Sequence, residues 1–318
     1  MKQVAPKMQL KISGSTEFGL KTQMVIAVII AFAGCAPGLM IAEPTPKVVG
    51  ETVWVGNLAN QQISEASGLA SSGLYPGALW VINDGGNDPL LYTIGVDGSD
   101  LGAFRVEGAS NDDWEALASF RLQDTAYLLI ADVGDNWQQR KTGTLYVVEE
   151  PRITATGLGN EPVIGIAWQI DFTYEDGPRD CEAVAVDTAN LRVLLLTKSS
   201  LPPVLYELPL KPADPDTTAL ARRLTTIPHF SRPTAMDIAP DGLSAAVLTY
   251  SNAYLFSRGQ KEDWAAAFNK RPRPLNFNQL NQQEAICFGF YGKSVYVTSE
   301  QLPAPLVRID LEAAAPEP

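Results

Sequence analysis

Five short segments place a carboxylate ahead of a small, apolar alternation: Glu65-Ala-Ser-Gly-Leu-Ala, Glu115-Ala-Leu-Ala-Ser, Glu182-Ala-Val-Ala-Val, Asp237-Ile-Ala-Pro and Glu284-Ala-Ile-Cys-Phe. A second polar residue follows each at a hairpin's distance: Asp84, Asp132, Lys198, Tyr250 and Glu300, at separations of 19, 17, 16, 13 and 16 residues. Carboxylates crowded together take up protons, pair with bases or bind a cation. Oxygen-only donors select hard cations, calcium above magnesium, so these positions are candidate calcium ligands. Asp132-Val-Gly-Asp135-Asn136 is the best local cluster, because Gly134 permits a tight turn and three oxygen side chains gather. It lacks the spacing and closing Glu of an EF-hand loop. The competing role for each acid is to accept backbone N–H groups and fasten neighbouring units.

Bases stand among the acids. Arg179, Lys198 and Arg140 could orient an anionic small molecule, with Tyr250 beside them. Lys198 and His229 are the candidate proton-transfer groups, His229 being the only histidine. Trp114 and Trp137 flank the acids and either line a pocket or pack between units.

The segments recur at intervals of roughly 50 residues, the period of a propeller or another repeat architecture. Between them lie short β-branched and aromatic runs separated by turns such as Gly85-Gly86, Asp97-Gly98 and Asp241-Gly242. Four strands fit in each of the first four repeats and three in the fifth, while Thr52-Val-Trp-Val is an unpartnered strand at the start. The expected fold is an all-β propeller of five four-stranded blades closed by that N-terminal strand, over residues 51–312. The alternative of six blades needs another blade within Pro151–Asp180. One short helix is expected over Glu262–Asn269.

Composition narrows the function classes. The 318 residues are 46% hydrophobic and 19% charged, which excludes wholesale disorder. A net charge of -12 argues against nucleic acid, whose phosphates require clustered Lys and Arg. The three cysteines form no CxxC pair, so with one histidine a Cys/His zinc site is unavailable. Cys181 and Cys287 are expected as separate buried thiols, with a disulfide as the alternative. No GxSxG elbow, phosphate loop or dinucleotide fingerprint occurs, and no nucleotide, flavin or haem is expected.

At the N-terminus, Lys2, Lys7, Lys11 and Lys21 precede an apolar run from Met24 to Ala33, the length of a signal-peptide core. Phe32-Ala-Gly-Cys35 resembles a bacterial lipoprotein cleavage box, with Cys35 the lipidation site. Residues 1–42 therefore read as a lipoprotein signal, a cleaved signal or a retained anchor, followed by a linker over 43–50. Each places the folded part outside the cytoplasm, in the periplasm or tethered to the outer membrane. Membrane contact is through this segment alone. Residues 313–318 read as a disordered tail, and a monomer is expected.

The acid-led openings of the blades resemble those of extracytoplasmic propellers in the phytase-like and SdiA-regulated groups, from about Glu65 to Glu300. The resemblance implies a propeller with calcium at the channel mouth, held by the blade-opening acids Glu65, Glu115, Glu182, Asp237 and Glu284. For phytase-like members it also implies phosphoester hydrolysis by a metal-activated water. The readings left open are a metal-dependent hydrolase of a phosphoester or lactone, an envelope module binding a ligand or protein without catalysis, and a structural ring.

Overall fold

The computed structural model describes residues 46–153, 161–212, 214 and 217–311. The signal segment with Cys35 and the tail over 313–318 lie outside them. Among the described residues no helix is long and apolar enough to cross a membrane.

The fold is all-β. The chain begins with β1 (Glu51–Asn57) and then forms four-stranded antiparallel units. The first is β2 (Ala66–Ser71), β3 (Ala78–Asn83), β4 (Leu90–Gly95) and β5 (Asp100–Glu107). The second is β6 (Trp114–Leu122), β7 (Thr125–Asp132), β8 (Gly143–Glu149) and β9 (Val163–Tyr174). The third is β10 (Cys181–Asp187), β11 (Arg192–Thr197), β12 (Val204–Pro209) and β13 (Ala219–Thr226). The fourth is β14 (Pro233–Ile238), β15 (Ser244–Thr249) and β16 (Ala253–Ser257), then α1 (Trp264–Asn269) and the two-residue β17 (Arg273–Pro274). The fifth is β18 (Gln283–Phe288), β19 (Ser294–Ser299) and β20 (Pro305–Asp310), whose outer edge β1 fills in antiparallel register.

The N-terminal strand thus pairs where the sequence left an edge vacant, and an unpaired edge is a liability that this pairing removes. Asp263 starts α1 by accepting from the Ala266 amide at 2.7 Å, a side-chain cap that satisfies an otherwise unpaired helix donor. In the fourth unit the last strand ends earlier than the expected Leu275-Asn-Phe, and Leu275 instead bridges Val49. Val49, inside the expected linker, is buried by that contact. The stretch offered for a sixth blade holds one strand among its described residues, β9, which completes the second unit and also pairs in parallel with β5 and β13.

Each first strand is the innermost of its unit, and it packs against the first strands of both neighbours, β18 against β2 as well. Five apolar cores lie between successive units, the fifth between the last unit and the first. The arrangement is propeller-like, and the inner strands pack without joining into a hydrogen-bonded barrel. Cys181 and Cys287 are free, buried members of two different cores. Trp114, fully buried, packs between the first and second units.

Close approach at the axis explains the small residues in the inner strands. A Cβ on Gly68 would lie 2.7 Å from both the Leu117 amide nitrogen and Ile82 Cγ1. Because backbone cannot yield as a side-chain tip can, Gly68→Ala is expected to destabilise the protein by about 1–3 kcal/mol. Urea unfolding would show this as a lower midpoint with an unchanged slope.

Candidate functional site

Each inner strand carries a register shift at the same place, with one residue skipped in its pairing to the second strand. Those residues are Ser67, Glu115, Glu182, Thr234 and Glu284. A bulge leaves its extra residue unpaired and re-aims the side chain. Ser67 Oγ donates to the Trp114 carbonyl at 2.9 Å and Thr234 Oγ1 to the Gln283 carbonyl at 3.0 Å. Both hydroxyls therefore fasten to the residue just before the next unit's glutamate. Glu115, Glu182 and Glu284 converge instead, with carboxylate oxygens all within 4.8 Å of one another.

Two of the sequence-derived alignments need correction besides that of Glu65, whose place at the bulge Ser67 holds. Asp237 lies near the far end of β14, where it accepts the Ile238 and Phe288 amides, each at 2.8 Å. Thr234 holds the position assigned to it, and Thr234 to Tyr250 restores the 16-residue spacing seen for Glu182–Lys198 and Glu284–Glu300. The second correction shifts Asp132 by one: the residues just after the second strands are Asp84, Val133, Lys198, Tyr250 and Glu300. Asp132 is buried beneath them. Its carboxylate accepts the Asp112 and Asp113 amides at 3.3 and 3.0 Å and pairs with Arg140.

Several other candidates serve local structure. Asp135 accepts the amides of Gln139 and Arg140 at 2.9 and 2.7 Å and braces the turn, while Asn136 is exposed. Glu65 precedes β2 and accepts from Asn87 Nδ2 at 2.7 Å. Arg179 pairs with Asp176 at 2.9 Å and donates to Tyr206, away from the glutamates. His229 faces the end of α1, with Nε2 3.1 Å from the Asn269 carbonyl. Trp137 projects into solvent.

Asp113, which the sequence places on a loop at this mouth but not among the candidate ligands, precedes β6 as Glu65 precedes β2. Asp84, Asp113 and Glu115 form a second carboxylate group within 4.8 Å. Two glycines make room for Asp113. A Cβ on Gly85 would lie 2.7 Å from its Oδ1, and one on Gly134 would lie 2.6 Å from Glu115 Oε1 and closer still to Asp113 Oδ2. The signal was available in the repeated turn, since Asp84-Gly85 and Val133-Gly134 occupy equivalent places after β3 and β7.

The charges are partly compensated. Lys198 pairs with Glu182, and its ammonium lies 5.3 Å from the centre of the Tyr250 ring, whose other neighbour is the Arg232 guanidinium at 4.6 Å. Tyr250 donates to Glu284 Oε1 at 2.7 Å. Burial, then repulsion from Asp84 and Asp113, pushes Glu115 well above the carboxylate range. Burial also raises Asp84 to about 6. Glu300 rises to about 8, by burial first and then by Glu284, with which it shares a hydrogen bond. Among the described residues Glu115 accepts no hydrogen bond, and the buried Oε2 of Glu182 has no partner.

No protein-family model and no curated protein matches the chain. A solved structure of a luciferin-regenerating enzyme is similar over 83% of this chain and 96% of that one, at 10% identity and a TM-score of 0.46.

Two outcomes follow from the geometry. With divalent cations chelated, the melting temperature should fall as pH rises from about 4 to about 8. Asp84 and Glu300 hold protons there that the unfolded chain has released, so stability is full below the ordinary carboxylate range and lost through the raised values. Gly134→Ala should lower the melting temperature less than Gly68→Ala does, because the colliding atoms belong to side-chain carboxyl groups and not to backbone.

Proposed function

We propose that this protein is an exported, five-bladed β-propeller closed by its N-terminal strand. Its channel mouth binds a hard divalent cation, calcium foremost, and acts on a small anionic phosphoester or lactone. The observation that carries this reading is the unpartnered buried oxygen of Glu182 inside a trio of converging carboxylates. A buried anionic oxygen without a partner is costly, and a cation relieves it. Glu115, Glu182 and Glu284 would hold the ion, with Asp84 and Asp113 on its outer side. The donor set is all oxygen, as calcium requires.

A bound cation would supply Lewis acidity and a more acidic water at neutral pH. The chain's own residues would do the rest. The carboxyl of Glu300, raised to about 8, is suited to accept or return a proton near neutrality, and Glu115, pushed up by burial, favours its protonated form. Lys198 and Arg232, stacked on Tyr250, present positive charge at the rim where an anionic group would approach. Lys198 is thus an orienting group, since its ammonium is committed to Glu182. His229 has no place in this scheme. The likeness of the blade openings to the phytase-like and SdiA-regulated groups supports the same reading.

One observation favours binding without catalysis. Trp137, Leu201 and Leu302 are exposed, each on the turn after its unit's second strand, and so rim the same face. Such a rim suits an envelope ligand or protein partner.

Calcium at about 100-fold over its Kd should raise the melting temperature by roughly 5–10 °C, from the linked stabilisation and the usual slope for a domain of this size. Glu115→Gln should abolish that shift while leaving the melting temperature of the metal-free protein nearly unchanged, because a neutral amide replaces a carboxyl that burial already favours in its protonated form. Absence of any shift at millimolar calcium would overturn the cation site. Calcium binding without turnover on a phosphoester and lactone panel would leave the binding reading in place of hydrolysis.

A further inference from the structure

The five innermost strands also meet at the end opposite the acidic mouth, and there they enclose a cavity of about 430 Å³. Ser71 from β2, Phe120 from β6, Val186 from β10, Asp237 from β14 and Phe288 from β18 all line it. The volume falls in the lower part of the ~300–1,000 Å³ range of small-molecule sites. Its walls combine three phenylalanine rings, Phe120, Phe288 and Phe290, with Val186 and Ile238.

The charged side chains Asp187, Arg258 and Arg121 at this end are already hydrogen-bonded within the protein. Asp187 receives both Arg258 guanidinium nitrogens at 3.0 Å, and Arg258 also donates to the Gly242 carbonyl at 2.7 Å. Arg121 donates to the carbonyls of Gly73 and Asp124 at 3.0 and 2.9 Å. Arg121 keeps its positive charge, but with both terminal nitrogens tied to carbonyls a charged ligand would have to displace those bonds to reach it. Two hydroxyls, Ser71 and Ser119, have no hydrogen-bond partner among the described residues and stand on the cavity wall. Asp237 spends one lone pair of each oxygen on an amide, and burial pushes it up to about 7, so near neutrality its protonated form can donate.

We propose that this end of the channel is a second binding site, separate from the acidic mouth, for a small uncharged aromatic molecule with one or two hydrogen-bonding groups. Rings on the wall stack with the ligand's ring, and Ser71, Ser119 and Asp237 meet its polar groups.

The test uses N-phenyl-1-naphthylamine, an uncharged aryl amine that fluoresces in apolar surroundings, titrated into the purified protein with calcium and with chelator. Saturable binding of one probe per chain is expected in both. Ser119→Trp, which fills the cavity from a half-buried wall position, should weaken it at least tenfold, and Phe290→Ala should weaken it measurably. Both variants should keep whatever calcium response the wild type has. The anionic 1-anilinonaphthalene-8-sulfonate should bind at least tenfold more weakly than the neutral probe. Non-saturable binding, unchanged affinity in Ser119→Trp, or equal affinity for the anionic probe would overturn the proposal, as would loss in Glu115→Gln. Should Ser119→Trp fail to fold, unchanged affinity in Phe290→Ala overturns it.

Discussion

Strands that converge on one axis have little room for side chains, and this crowding governs both the sequence and the site. Ala66, Gly68, Ala70, Ala116, Ala118, Ala183, Ala185, Ala235 and Ala285 are the alanines and glycine of the inner strands, and all are buried. Where the chain enters each inner strand the register slips by one residue, and that slip turns one side chain per unit out of the ladder. The same crowding that demands alanine in the strand therefore gathers what stands at its start. Distance along the sequence is irrelevant to this gathering: Glu115 and Glu284 meet because their units occupy a common ring.

Bringing acids together in a buried place is unfavourable, and the protein distributes the difficulty over several devices. Lys198 neutralises Glu182, and the Tyr250 hydroxyl and the Glu300 carboxyl brace Glu284. Glu115 receives no such help and instead holds its proton to unusually high pH. Gly85 and Gly134 then let Asp113 press in from outside. None of these features adds to the stability of the ring. A buried carboxylate oxygen left without a partner is a cost that folding alone does not repay.

The fold was legible because its signal is repeated. Alternating small and apolar residues recur in every unit, and the vacant edge of the fifth unit has an orphan strand, Glu51–Asn57, to match it. The site was half legible. Glu115, Glu182 and Glu284 are each followed directly by alanine and an apolar alternation, a pattern that Glu65 shares. Asp237 misled because it precedes an apolar pair in the same way, yet it follows Pro-Thr-Ala-Met, already four residues into its strand. Its 13-residue gap to Tyr250, against 16 to 19 elsewhere, was the sign of misalignment. Asp135 and Arg179 could not be assigned from spacing, since their partners, the amides of Gln139 and Arg140 and the Asp176 carboxylate, are chosen by turn geometry. Short polar loops carry many equivalent pairings, and only the folded backbone selects among them.

Departures from repetition locate the chemistry better than repetition does. A ring with a glutamate at all five bulges would hold five charges within a few ångströms, which no single cation could neutralise. Ser67 and Thr234 remove two of them and convert those positions into fasteners between units, each bound to the carbonyl preceding a glutamate. The hydroxyls thus fix the backbone that aims Glu115 and Glu284, while Lys198 takes part of the charge of Glu182. Three acids with one base among them leave a deficit that a single divalent ion can fill. The near-symmetry of the fold supplies convergence, and the two hydroxyls with the single lysine set its limit.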